Sequence, residues 1–304
     1  MRRVVSLVPS ATEWLFAMGA ADCVVGRSHE CDWPAQATHL PLLTAPRTTA
    51  TDPAHVDAQV SAAMDAVGSL YHLDRNALVA LAPDVVVVQD ACGVCSIDVP
   101  TVQGALAEAG LDTTLVTLRP HTIEDIFDDI LTLGEAVNRH DAAQRVMVDM
   151  RARWWDTQDV VNPYVDGPRT AVIEWADPLY VAGHWTPQLI ETAGGRQSII
   201  AAGEASCIIN GETLLAEQIE RLIIAPCGVP LDAAITHVER LQSTSWWPLL
   251  PAVMDGSVVV VDGCATFSRP GPRLFDTQQW LTAWLQGLPD RVPDQWSSLA
   301  VAPS

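Results

Sequence analysis

Hydrophobic and polar positions alternate along this chain in a way that predicts short buried strands separated by helices. Arg3 to Val8 reads as a strand. A helix follows from Pro9, with Ser10 as its expected N-cap, Glu13 at the capping-box position and Trp14, Leu15 and Met18 on its apolar face. Cys23 to Arg27 reads as a second strand, and Asp52 to Val67 as a helix with Val56, Val60, Met64 and Val67 near helical period. Ser69 to Tyr71 is a short extended piece. Asp74 is placed to cap a helix over Arg75 to Leu81, which Pro83 ends. The run Asp84 to Val88 is β-branched without alternation, as in a strand covered on both faces. A helix from Val99 to Ala109 and a strand from Thr113 to Thr117 complete a parallel, doubly wound front lobe.

From Thr122 the period stays helical. Ile123, Ile126, Ile130, Leu133 and Val137 form one stripe, and Val146, Met147, Met150 and Trp154 continue it. A single helix of that extent would span about 50 Å, with Asn138 to Asp141 as the place for a kink; the alternative is two helices with a turn there. The β–α pattern then restarts. Strands are expected over Thr170 to Glu174, Arg221 to Ala225 and Ser257 to Val261. Helices are expected over Thr186 to Thr192, Glu212 to Glu220, Leu231 to Leu241 and Arg273 to Leu285. The expected fold is α/β: two doubly wound lobes joined by one long rigid helix, with a ligand cleft between the lobes. The boundaries are 1–120 for the front lobe, 121–158 for the linking helix, 159–290 for the rear lobe and 291–304 for a loose polar tail.

Composition narrows the function. The 304 residues carry 17 Lys+Arg against 37 Asp+Glu, a net charge of −20, and every basic residue is Arg. Such a surface repels nucleic acid and anionic lipid. No apolar run approaches the roughly 20 residues of a membrane span. The start of the chain reads as a strand rather than a signal peptide, which suggests a cytoplasmic protein, or a periplasmic or extracellular one if a leader was removed. Seven Cys do not form a disulfide scaffold in a chain of this size. A monomer is expected.

Two loops concentrate chemistry. Ser28-His29-Glu30-Cys31-Asp32-Trp33-Pro34 leaves the second strand, and Gln89-Asp90-Ala91-Cys92-Gly93-Val94-Cys95 leaves the valine-rich one. In open α/β sheets ligands bind at the carboxyl ends of strands. Both loops are expected to leave adjacent strands on the same edge of one sheet, where His29, Cys31, Cys92 and Cys95 converge as a tetrahedral set for zinc or another transition metal. Cys23, Cys207, Cys227 and Cys264 read as core or loop thiols. In the rear lobe Glu174-Trp175 and Pro226-Cys227-Gly228 follow strands, His184-Trp185 precedes a helix, and Asp262-Gly263 leads to Ser268-Arg269. Trp33, Trp175 and Trp185 in one cleft would suit a large, flat, partly apolar ligand. An enzyme using Cys31 beside His29 is disfavoured, because neither a phosphate-binding G-x-x-x-x-G-K loop nor G-x-S-x-G occurs.

These residues, together with Ser6-Leu7-Val8-Pro9-Ser10-Ala11-Thr12-Glu13, Val181-Ala182-Gly183-His184-Trp185 and Ser268-Arg269-Pro270-Gly271-Pro272-Arg273, run in order over nearly the whole chain. They resemble the cobalamin/iron-siderophore class of ABC-transporter substrate-binding proteins, in its Cys-containing branch. The resemblance implies binding without covalent chemistry, a corrinoid (cobalamin) or related metal-chelate ligand, and an ABC permease partner, for which Glu13 and Glu191 are docking candidates. It implies a ligand set of His29, Glu30, Asp32, Trp33, Gln89, Asp90, Glu174, Trp175, His184, Trp185 and Arg269. The alternative is a metal-ion binder or metallochaperone using His29, Cys31, Cys92 and Cys95.

Overall fold

The computed structural model describes residues 2–48, 53–67, 69–91, 97–293 and 296–301, with backbone alone at 53, 66 and 67. Its contacts divide the chain into two compact units. The first comprises Met1–Thr51, Ala58–Pro120 and Glu124–Arg151; the second comprises Asp52–Asp57, His121–Ile123 and Ala152–Ser304. The expected linking segment is thus no separate body, since most of it clusters with the first unit.

The first unit holds β1 (Val4–Ser6), β2 (Val24–Arg27), β3 (Thr44–Pro46), β4 (Tyr71–Leu73), β5 (Val85–Gln89) and β6 (Thr114–Leu118). A four-stranded sheet runs in the order β2-β1-β5-β6 with every pairing parallel, and β3 and β4 form an antiparallel pair. All five residues of β5 are buried, as a run of valines without alternation demands. Val5, Leu7, Leu78, Val86, Val88 and Val102 share one core. Asp74 caps the helix Arg75–Leu81, accepting from the Ala77 N–H at 2.9 Å.

Ser10 is not a cap. The N-cap is Val8, two residues earlier, because Pro9 presets the first helical turn and lacks the N–H that a cap would satisfy. Thr12 fills the turn, its hydroxyl 2.9 Å from Ser6 Oγ and 3.3 Å from the Val8 carbonyl. Glu13, only 1% exposed, lies in the core, so it is no surface contact for a permease.

The expected long helix is two helices, Ile123–Ala136 and His140–Asp156. Asn138 adopts a left-handed conformation (φ 57°). The Arg139 N–H reaches back to the Gly134 carbonyl (2.8 Å) and the Asn138 N–H to that of Glu135 (3.2 Å), a Schellman stop. A Cβ on Gly134 would stand 2.2 Å from the Cβ of Ala143. In a continuous helix those two positions would be about 13 Å apart. The chain therefore bends sharply at the place the sequence marked for a kink.

The second unit holds β7 (Thr170–Ala176), β8 (Leu179–Val181), β9 (Cys207–Ile208), β10 (Arg221–Ile224), β11 (Val258–Val261) and β12 (Ser298–Ala300), in the sheet order β12-β11-β10-β7-β8-β9. Strands β7, β10 and β11 are parallel, as expected; β8, β9 and β12 pair antiparallel. The helices Thr186–Thr192 and Arg273–Leu285 match the expected segments; Ile235–Gln242 begins four residues later than expected, and Gly211–Ala216 is shorter than expected. The segment expected to be a loose tail is docked. Its strand β12 hydrogen-bonds β11, and Trp296 stacks on Trp280 at 4.3 Å between ring centroids with planes 12° apart. An aromatic face offered by the last helix outweighs the polarity of the segment's other residues.

Candidate functional site

In the first unit the loop after β2 folds back over β1. The Ser28 N–H bonds the Ser6 carbonyl at 3.0 Å, and Cys31, fully buried, points its thiol at the same carbonyl at 3.7 Å. His29 is anchored to β3: its N–H and its Nδ1 both meet Thr44 Oγ1, at 3.0 and 2.7 Å. That hydroxyl also contacts Ser28 Oγ at 3.0 Å, and Ser28 Oγ accepts the Glu30 N–H at 3.2 Å. The other face of the imidazole packs on Tyr71, with ring centroids 5.2 Å apart, and Nε2 stands 3.3 Å from Glu30 Oε1. Asp32 and Trp33 lie on the surface, Trp33 with 40% of its area exposed. Gln89 is buried at the end of β5, whereas the exposed carboxylate of Asp90 is paired with Arg119, Oδ2 lying 3.0 Å from both Nε and Nη2.

The sheet order corrects one expectation about these loops. Strands β2 and β5 leave the same edge but are not neighbours, because β1 lies between them. At about 4.8 Å per strand this separates the two strand ends by nearly 10 Å. Cys92 and Cys95 lie outside the described residues. Among the described residues no group of three or more His, Cys, Asp or Glu is placed to hold a metal ion.

In the second unit Glu174 and Trp175 close β7. The Glu174 carbonyl accepts the Cys227 N–H at 3.0 Å, which ties this strand end to the turn after β10. Burial pushes its half-buried carboxyl up to about 7, against a smaller lowering influence of the Ser206 hydroxyl. The native state therefore holds a proton on Glu174 that the unfolded chain gives up nearer the ordinary value of 4.5. Its stabilising effect is complete below that pH and is lost as the pH rises through about 7. Trp175 is backed by the buried His237, the two rings meeting edge to face at 4.5 Å and 76°.

The stretch Gly183–Trp185 interlocks with the turn at 203–206. Gly183 N–H bonds Ser206 Oγ (3.0 Å), His184 N–H bonds the Glu204 carbonyl (2.6 Å), and Gly203 N–H bonds the His184 carbonyl (2.9 Å). His184 pays for this with a left-handed backbone (φ 53°), unusual for a residue with a side chain. Its ring stacks on Trp185, and its Nδ1 lies 3.3 Å from Nδ1 of His121. Burial first, then His121, lowers its pKa, which favours the neutral imidazole. Trp185 is only 5% exposed and donates its indole N–H to the Phe267 carbonyl (2.9 Å), so it serves as packing within its own unit rather than as an open platform. Arg269, 8% exposed, sits in the loop after β11.

Sequence reading did not identify Thr44, Tyr71, His121, Ser206 or His237. Tyr71 ends a segment read as extended, but its pairing with Thr44's segment, as β4 with β3, is a tertiary fact. Ser206 precedes the two-residue strand β9, too short to leave a periodic signal.

Among relatives, a vitamin B12-binding protein of Vibrio cholerae serotype O1 is 22% identical over 289 residues, covering 93% of this chain and 89% of its own. A periplasmic heme-binding protein from Pseudomonas aeruginosa superposes with a TM-score of 0.73 at 21% identity, over 99% of this chain and 95% of that one. The vitamin B12-binding protein BtuF of Vibrio cholerae superposes with a TM-score of 0.68 at 20% identity, over 94% and 97%. These relatives lend no support to a metallochaperone or to zinc as a cofactor. Residues 4–264 match the family described as "Periplasmic binding protein", and the chain belongs to that family of non-enzymatic solute-binding proteins.

Proposed function

We propose that this protein binds a corrinoid, or a closely related metal chelate, and delivers it to an ABC permease. The observation that carries the reading is the end of β7, where an indole braced by a buried imidazole adjoins in the chain a glutamate whose carboxyl burial holds above its ordinary range. An aromatic face beside a few fixed polar groups is what a large, partly apolar ring system with a polar rim requires. The similarity to relatives described as binding vitamin B12 or heme supports the same ligand class. In the first unit, Trp33, His29 and Tyr71 supply an exposed indole, an imidazole and a phenol on neighbouring loops and strands. Glu191, exposed at the end of the helix Thr186–Thr192, is the remaining candidate for permease contact.

Calorimetric titration with cyanocobalamin tests the proposal. One-to-one binding with a Kd of about 10 µM or tighter is expected. Replacing Trp175 with Ala is expected to weaken it about tenfold or more, because truncating a central aromatic anchor removes most of its contact area. No heat at high micromolar cyanocobalamin would overturn the reading.

A further inference from the structure

We infer that His121 and His184 form a two-imidazole site for a divalent transition-metal ion, bound through the Nδ1 atoms of both rings. The site lies wholly within the second unit and does not depend on the corrinoid reading.

The distance between the two nitrogens carries the inference. Nδ1 of His121 lies 3.3 Å from Nδ1 of His184, with the ring centroids 5.4 Å apart. Hydrogen bonds donated by N–H groups run from about 2.7 to 3.2 Å, so this contact is longer than an ordinary one. Two imidazole nitrogens on one tetrahedral ion, each bound at about 2.0–2.1 Å, stand about 3.3–3.4 Å apart. The observed spacing is therefore that of two ligands of one ion. Neutral rings present both lone pairs to it when each carries its proton on Nε2.

Both rings are held in place by their own backbones. The His184 N–H meets the Glu204 carbonyl at 2.6 Å, and its carbonyl accepts the Gly203 N–H at 2.9 Å, which keeps the residue at a left-handed φ of 53°. Strain of that kind persists only where the surroundings impose it, and it collects at functional sites. Trp185, stacked on the ring with planes 30° apart, fixes its tilt. His121 opens the segment His121–Ile123, whose Ile123 N–H bonds Gln188 Oε1 at 2.8 Å. A Cβ on Gly203 would stand 3.4 Å from Thr122 Cγ2, so the turn that anchors His184 also borders the segment that carries His121. A site assembled before the ion arrives gives up less freedom on binding.

The donor set selects the class of ion. Imidazole suits zinc, cobalt, nickel and copper, whereas calcium and magnesium take oxygen ligands. Burial, then His121, lowers the pKa of His184, which favours the neutral ring that ligation needs. The net charge of −20 draws cations toward the surface. Among the described residues no third His, Cys, Asp or Glu joins the pair, so the ion keeps its remaining positions for water.

Calorimetric titration of the intact chain, freed of metal by a chelator, with cobalt(II) at neutral pH tests the site. Binding with a Kd on the order of 100 µM or tighter is expected, and magnesium in excess is expected not to compete. His184→Asn removes the ring and leaves a residue that tolerates the left-handed backbone. That variant and His121→Ala are each expected to weaken cobalt binding about tenfold or more. His140→Ala, at an exposed position on the helix His140–Asp156, is expected to change it less than about twofold. Circular dichroism checks the fold of each variant. Paramagnetic broadening in the unsubstituted protein gives a reading that needs no variant: the ring-proton signals of His121 and His184 are expected to vanish before those of the other His. No binding up to about 1 mM cobalt, affinity retained in both His121→Ala and His184→Asn, or broadening that starts at other imidazoles would overturn the inference. Cyanocobalamin titration of the same protein is a separate reading, and its failure removes the proposed function while leaving this site standing.

Discussion

Replacing Trp247 with Ala is expected to cost about 3–5 kcal/mol of stability, the largest single loss of any substitution considered for this chain. Trp247 is fully buried in the second unit, in one cluster with Leu222, Ile224, Val238, Leu241 and Val260. Removing the indole leaves a void that residues on two strands and a helix cannot fill together. Its ring nitrogen is buried and has no hydrogen-bond partner among the described residues. An unmade bond to a buried donor itself costs about 1–3 kcal/mol. Trp247→Phe is expected to cost much less than Trp247→Ala, because both discard the unpaired N–H but Phe leaves the smaller void. Urea unfolding of the three proteins decides the point. Equal losses for Ala and Phe would show that the cavity does not dominate.

Gly183→Ala is expected to destabilise by up to about 3 kcal/mol and to abolish cyanocobalamin binding at concentrations that saturate the unsubstituted protein. A Cβ at this position would stand 2.4 Å from the Glu204 carbonyl oxygen, 2.6 Å from the Ser206 nitrogen and 2.8 Å from the Ala205 carbonyl carbon. All three are backbone atoms, so no side chain can rotate away. To relieve the contact the turn at 203–206 must move, breaking the hydrogen bonds that join it to Gly183 and His184. The turn then no longer holds Gly183 and His184 in place at the mouth of the helix Thr186–Thr192. Thermal unfolding and calorimetry on the same sample separate the two effects. A folded Gly183→Ala protein with unchanged affinity would show that the turn at 203–206 plays no part in binding.

How much of this was legible in advance follows from how local each signal is. The buried strand β5 was readable from valines without alternation, and the start of the helix Arg75–Leu81 from Asp74 alone, because strand burial and helix capping act over a few residues. The break at Asn138 was marked as a kink, with two helices and a turn as the alternative, and the structure takes the alternative. The residues on either side keep one apolar stripe, and it is the contact between Gly134 and Ala143 that shows how sharply the chain turns. The order β2-β1-β5 could not be read from sequence, since chain neighbours need not be sheet neighbours. That order is what separates the two polar loops of the first unit by one strand. The docked tail was invisible for a similar reason: the attraction of Trp296 to its segment's final position lies in Trp280, on a different element.

The candidate site shows the same division. Glu174 and Trp175 were found because a hydrophobic strand ends in an acid and an indole, a conspicuous change within two residues. Their supports, Ser206 and His237, come from other elements and carry no pattern of their own. Trp185 was grouped with Trp175 because both are tryptophans beside regular elements. The hydrogen bond from its indole to Phe267 and its near-complete burial assign it to packing instead.

Hydroxyl-radical footprinting of the protein with and without cyanocobalamin addresses the central claim most directly, since it reads the oxidation of each indole separately. The account predicts protection of Trp175 on ligand addition. It predicts no change at the buried Trp185, nor at Trp155, whose exposed face on the helix His140–Asp156 is assigned no role in binding. Saturation with ligand that leaves Trp175 as reactive as before, or that protects Trp155 in its place, would contradict it.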